Sequence, residues 1–305
     1  MGSIINFSIT IFTIITKGLC QDFGYDGNEG PTHWGEKYQH CFGKHQSPIN
    51  IIEHQVQIVH LPPMVFSNFN FTTAEALMKN NGHTVVVAFD SEQKPMISGG
   101  PLIGDYEFAQ LHFHWGANDE EGSENTINNS SYPLEIHIVF YQEAYGSFQE
   151  ATEHPDGLAV LSFLYTGRKE TNKYYETIVE VLPKVQEAQA NTTIKDLPRL
   201  SNLIPNDLSV YYFYGGSLTT PPCTEAVTWI EFKNTIPLAY RQIEVFRQLN
   251  GEHGKLLHNF RPVQPLHGRT IRMNQKLGQN CSVTYRYLLL HEIFCISVIV
   301  QLLFK

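Results

Sequence analysis

Gln110-Leu111-His112-Phe113-His114-Trp115 reads as a β-strand with two chemically different faces. Side chains alternate along a strand, so Gln110, His112 and His114 point one way while Leu111, Phe113 and Trp115 point the other. The segment Leu134-Glu135-Ile136-His137-Ile138-Val139-Phe140 repeats the pattern. Leu134, Ile136, Ile138 and Phe140 form its apolar face, and Glu135, His137 and Val139 share the opposite one. If the two strands pair antiparallel with their polar faces on the same side, three imidazoles converge. Three neutral histidines suit zinc and leave a fourth tetrahedral position open for water. Gln110 and Glu135 then lie where an acceptor can hold the outer ring N–H of a ligating histidine.

The chain has 14 histidines, so a His-x-His pair on a solvated strand face stays open as a reading of these residues alone. The third histidine on a matching face, with acceptors beside both strands, favours the metal. His33, His40, His45, His54 and His60 have no such surroundings and read as surface or hydrogen-bonded polar residues.

Working outward, strand-like segments recur at Thr84–Phe89, Ala109–Trp115, Leu134–Tyr141, Ala159–Leu164 and Ala226–Phe232. Apolar residues at helical spacing predict helices over Lys173–Gln186 and Tyr240–Leu249. There is no linker, repeat or low-complexity run, no alternating βαβ rhythm, and no glycine pattern of a phosphate loop. The expected fold is therefore mainly β: one domain, residues 21–279, built on a large, twisted, mostly antiparallel central sheet with a few peripheral helices. Composition agrees, at 42% hydrophobic, 17% charged and 12% aromatic residues among 305. That excludes a disordered chain and a polytopic membrane protein. With 21 basic and 30 acidic residues and no Lys/Arg cluster, nucleic-acid binding is not expected.

The ends carry different signals. Residues 1–20 contain the apolar run Ile4 to Ile15, followed by small residues Gly18 and Cys20 at the −3 and −1 positions of a cleavage site before Gln21; this predicts a signal peptide. Residues 280–305 place the small residues Asn280, Cys281 and Ser282 ahead of a polar spacer and the apolar stretch Leu288 to Phe304. That order predicts a GPI-attachment signal whose tail is removed, with a single-pass helix or a secreted form as alternatives. The expected location is the extracellular face of the plasma membrane. Asn70, Asn128, Asn129 and Asn191 begin N-x-S/T triplets and are candidate glycosylation sites. Asn280 begins another.

The run Leu111-His112-Phe113-His114-Trp115-Gly116, followed by Glu135-Ile136-His137, resembles the zinc site of the animal α-carbonic anhydrases. The resemblance spans about residues 22 to 276. It includes Ser47-Pro48-Ile49-Asn50, Asn81-Gly82-His83, Gly99-Gly100-Pro101-Leu102, Gly122-Ser123-Glu124, Ser217-Leu218-Thr219-Thr220-Pro221-Pro222, Arg261-Pro262 and Gln264-Pro265-Leu266. It implies reversible hydration of carbon dioxide to bicarbonate and a proton, by a hydroxide that one zinc ion per chain generates. His112, His114 and His137 would be the metal ligands, supported by Gln110, Glu135 and Asn259. Thr219 would orient the hydroxide while donating to Glu124, and His83 would shuttle the proton. Val139, Val160, Leu218, Val227 and Trp229, with Thr220, would line the substrate pocket; core packing explains those apolar residues equally well.

Cys41 and Cys223 match the single disulfide of secreted and membrane-bound members, two independent buried thiols being the other reading. The partners implied are the small-molecule substrate and, through a lipid anchor, the membrane. A transporter partner is left open. Three positions depart from the family pattern: Phe23 stands where Trp is usual, Val86 where Asn is usual, and Asn125 where His is usual. Tyr25 is retained. Val86 removes a polar group from the water path to His83, and Asn125 alters the support of Glu135, where an amide can still donate. An inactive binding module of the same fold, an esterase and a structural zinc protein are the competing readings. The full set His112, His114, His137, Thr219 and Glu124 argues against the binding module, the narrow apolar pocket against the esterase, and the absence of a fourth protein ligand against the structural zinc protein.

Overall fold

The computed structural model describes residues 23–275. The predicted signal peptide, the GPI signal and the Asn280 triplet lie outside the described residues. Ten strands run side by side in one sheet: Asn191–Leu197, Thr73–Asn80, Val85–Ala88, Tyr106–Trp115, Leu134–Gln142, Leu158–Arg168, Val227–Ala239, Tyr211–Gly216, Arg272–Asn274 and Gln57–Val59. Met96–Gly99 adds to Tyr106–Trp115 and pairs in turn with Met64–Ser67. Only two of these pairings are parallel, Leu158–Arg168 with Val227–Ala239 and Arg272–Asn274 with Gln57–Val59. The mainly-β, mostly antiparallel expectation holds.

Each predicted strand is present and most extend further: Ala226–Phe232 is the first half of Val227–Ala239. The two histidine strands are neighbours, in a register that sets His112 opposite His137 and His114 opposite Glu135. One residue is inserted between Phe108 and Gln110. A bulge of this kind shifts which side chains share a face, and here it leaves Ala109 with Val139 in the same apolar cluster.

The two sheet faces bury different things. Leu111, Phe113, Trp115, Leu134, Ile136, Ile138 and Phe140 belong to the large core, packed with Ile178, Leu182, Ile243 and Phe246. Burying each such side chain contributes roughly 1.5–3 kcal/mol, so a one-residue slip of either histidine strand would forfeit several of these at once. The register of the metal face is thereby held by the apolar face behind it.

The predicted helix Lys173–Gln186 is corrected. It is α-helical only over Glu176–Val181 and continues as a 3₁₀ turn over Leu182–Val185. Pro183 lacks the N–H an α-helix would use and disfavours α geometry at the residue before it. Tyr240–Leu249 shortens to Tyr240–Phe246. Gln242 joins the two helices, its side-chain oxygen accepting from the Ala239 N–H at 3.1 Å and its amide donating to Glu176 at 2.8 Å. Cys41 and Cys223 are disulfide-bonded across 182 residues. In the chain-entropy picture, closing so long a loop contributes on the order of 5 kcal/mol.

Candidate metal centre

The histidine rings meet with their centroids 4.5 to 5.1 Å apart. One nitrogen of each is turned outward to a group that can accept. His112 Nδ1 lies 2.9 Å from the Gln110 side-chain oxygen, His114 Nδ1 2.8 Å from the Asn259 backbone carbonyl, and His137 Nε2 2.7 Å from the Glu135 carboxylate. An acceptor on the outer nitrogen fixes the proton there and leaves the inner nitrogen with a free lone pair. The inner atoms are Nε2 of His112, Nε2 of His114 and Nδ1 of His137, and the ligand atoms of this group lie within 4.8 Å of one another.

Electrostatics point the same way. Burial, then the neighbouring His114 and His137, hold His112 well below the usual histidine range. Burial and His137 bring His114 down to about 3. Both rings are neutral at physiological pH, the state that ligates metal. His114 Nε2 is buried with no hydrogen-bond partner, and so is Glu124 Oε2, 3.5 Å away. A buried polar atom left unpaired costs about 1–3 kcal/mol, and a dication among three imidazole lone pairs removes that cost. The donor set fits zinc.

Glu124 borders this group. Its other oxygen accepts from the Arg261 backbone N–H at 2.8 Å, and the Thr219 hydroxyl is hydrogen-bonded to it. Burial and Glu135 push Glu124 upward, opposed by Arg261 and Thr219. The Tyr25 hydroxyl is buried nearby and interacts electrostatically with Glu124.

Beyond the ligands, Val139, Val160, Val227 and Trp229 are buried in one apolar cluster with Leu218 packed against it. Trp229 presents its ring to His137 at 4.7 Å and donates to the Ser217 carbonyl at 3.0 Å, which pins the loop carrying Thr219 and the half-buried Thr220. His83 lies in a turn where Gly82 has φ +88°, a conformation that favours glycine. Its ring stacks flat on Phe23, with centroids 3.9 Å apart and planes 12° apart. Asn259 links His83 to the ligands. Its amide donates to the His83 and Phe113 carbonyls at 3.0 Å, while its own carbonyl holds His114. Val86 stands opposite His112 in the sheet and packs with Ala88 and Leu77. The expected donation by Asn125 is present, from its amide to Glu135 Oε1 at 2.9 Å.

Sequence reasoning missed two residues here. Ser162 donates to Glu135 at 2.6 Å, and Glu231 accepts from Asn125 at 3.2 Å. Glu231 follows Val227 and Trp229 at strand spacing, so the alternation rule places it on the site's face; an acid between Ile230 and Phe232 was the available signal. The four candidate glycosylation asparagines, Asn70, Asn128, Asn129 and Asn191, are all exposed. Among the described residues, no helix is long and apolar enough to cross a membrane.

The model of the eukaryotic-type carbonic anhydrase family matches residues 29–275. Mouse (Mus musculus) carbonic anhydrase 7 is 39% identical over 259 residues, covering 82% of this chain and 96% of the relative. Human carbonic anhydrase 7 is 39% identical over 261 residues, with the same coverage of each chain. Bovine (Bos taurus) carbonic anhydrase 6 is 35% identical over 275 residues, 87% of this chain and 85% of the relative. With the family model matched over most of its length and the three-histidine centre in place, the chain belongs to the eukaryotic-type carbonic anhydrase family.

Proposed function

We propose that this enzyme hydrates carbon dioxide reversibly at the extracellular face of the plasma membrane, with one zinc ion per chain held by His112, His114 and His137. The observation that carries this is the trio of inward nitrogens, each opposite an N–H fixed by Gln110, Asn259 or Glu135. Zinc there would supply a hydroxide nucleophile at neutral pH by lowering the pKa of a bound water. Thr219, by donating to Glu124, keeps its own oxygen free to accept the nucleophile's hydrogen and so aims the lone pair, which is catalysis by positioning. Carbon dioxide is apolar, and Val139, Val160, Leu218, Val227 and Trp229 give it a dry wall, with Thr220 at the edge. His83 accepts the released proton and passes it to buffer, a task suited to an imidazole. Stepwise return of zinc to metal-free protein, followed by calorimetry, should saturate at one equivalent. A second tight equivalent, or none, would contradict the site.

The outer-surface location is supported by the Cys41–Cys223 disulfide and the exposed asparagines. Residues 1–20 act as the signal peptide, 21–279 as the catalytic domain and 280–305 as the GPI signal, which assigns the chain to the secreted and membrane-anchored branch. Glycans attach at some of Asn70, Asn128, Asn129 and Asn191. Treatment of intact expressing cells with a phosphatidylinositol-specific phospholipase should release the protein into the medium. Retention on the cells would favour a spanning helix.

A further inference from the structure

Glu231 is fully buried on the face of the sheet that carries the metal centre, yet none of the steps above uses it. Ser162 is its cross-strand partner in the parallel pairing, and Ser162 is in turn opposite His137. The hydrogens around it can be assigned one by one. Ser162 has a single O–H, and at 2.6 Å that O–H belongs to Glu135. The side-chain amide of Asn125 has two hydrogens, one for Glu135 Oε1 at 2.9 Å and one for Glu231 Oε2 at 3.2 Å. Glu135 is already saturated by these, by His137, and by the backbone N–H groups of Glu124 and Asn125.

Nothing is left to donate to Glu231 Oε1, which is buried without a partner although Ser162 lies beside it. A carboxylate there would face the lone pairs of Ser162. A carboxylic acid would instead donate its proton to Ser162 Oγ and leave every hydrogen and lone pair of the group matched.

We propose that Glu231 is a protonated positioning residue, the outer end of a directed chain in which Glu231 donates to Ser162, Ser162 donates to Glu135, and Glu135 holds His137. Its role is to fix the direction of the Ser162 hydroxyl and the plane of Asn125, so that Glu135 stays an acceptor for His137 alone on the ligand side. The surroundings favour the neutral acid. Burial and then Glu135 push Glu231 well above the ordinary carboxylate range, opposed by Ser162 and Asn125; the single Ser162 O–H cannot serve both Glu135 and Glu231. The other titratable groups that interact with it are the phenols of Tyr132, Tyr212 and Tyr214, and none of these is a cation. The inference rests on the three histidines holding zinc. It adds the residue that orders the support of His137 where the family's usual histidine is replaced by Asn125.

Glutamine at 231 keeps an acceptor for Asn125 and a donor for Ser162, whereas leucine keeps neither. Loss of zinc from the loaded enzyme to a chelator should run at the parent rate in Glu231→Gln and roughly tenfold faster in Glu231→Leu and in Ser162→Ala. Combining Glu231→Leu with Ser162→Ala should be no faster than Ser162→Ala alone, because both break one chain. The infrared spectrum should show a carboxylic-acid C=O band that Glu231→Gln removes, in the metal-free as well as the loaded protein. Zinc loss in Glu231→Gln as fast as in Glu231→Leu, a parent rate in Glu231→Leu, or no band removed would each overturn the proposal. Should Glu231→Leu not fold, the band and Ser162→Ala decide it. The band is read without metal, so failure of the zinc reading and failure of this one are distinguishable.

Discussion

On the His137 side of the site, the supporting carboxylate of Glu135 is tied at both oxygens. Glu135 alone receives five hydrogen bonds, from the backbones of Glu124 and Asn125, the Asn125 amide, Ser162 and His137. On the His83 side, the adjoining strand offers Val86 and Ala88, and the His83 ring lies flat on Phe23. The first region fixes a geometry to within a hydrogen bond. The second offers an apolar side chain at position 86, opposite His112. On the proposed function, metal retention should therefore tolerate the loss of single hydrogen bonds, whereas proton export should respond to a polar group added at position 86.

The comparison predicts a graded series of effects. Replacing His112 with Ala removes one of the three proposed ligands and should abolish zinc binding and carbon dioxide hydration together; metal analysis and activity on the same preparation check this. Replacing His83 with Ala should spare zinc but slow turnover about a hundredfold in weak buffer, with partial rescue by added imidazole. Equal rates in all buffers would show that protons leave elsewhere. Val86→Asn restores a polar group to the apolar wall and should raise turnover in weak buffer on the order of twofold by supporting bridging water. No change would mean that position 86 does not touch the proton path.

The smallest effect lies away from both regions, at Glu53. Hydrogen bonds from Lys233, Tyr212 and Asn128 bring its carboxyl down to about 2. Because the folded value is depressed below the unfolded value of about 4.3, its contribution is present above that pH and is lost as pH falls towards 2. Lys233→Met should flatten this part of the acid-unfolding curve slightly, since the pair is partly exposed. Parallel urea titrations at pH 3 and 6 would measure it.

Much of this was legible in the sequence because strand alternation is a local rule. His112, His114 and His137, their acceptors Gln110 and Glu135, and the apolar faces behind them all follow from a period of two. The register that sets His112 opposite His137 was not legible, since it depends on pairing between strands and on the residue inserted before Gln110. Pro183 ends the α-helix that apolar spacing predicts over Lys173–Gln186, because hydrophobic spacing does not register a missing N–H. Alternation places Glu231 on the site's face, but its partners Ser162 and Asn125 come beside it only through strand pairing and the fold. Asn259 acts on His114 through its backbone carbonyl, which no side-chain pattern encodes.

The most direct test of the account is stopped-flow carbon dioxide hydration by the purified enzyme, before zinc removal, after it, and after zinc is returned. The account predicts fast hydration that disappears with the metal and is restored by zinc. Folded, zinc-loaded protein that does not hydrate carbon dioxide, or activity that survives complete removal of the metal, would contradict it.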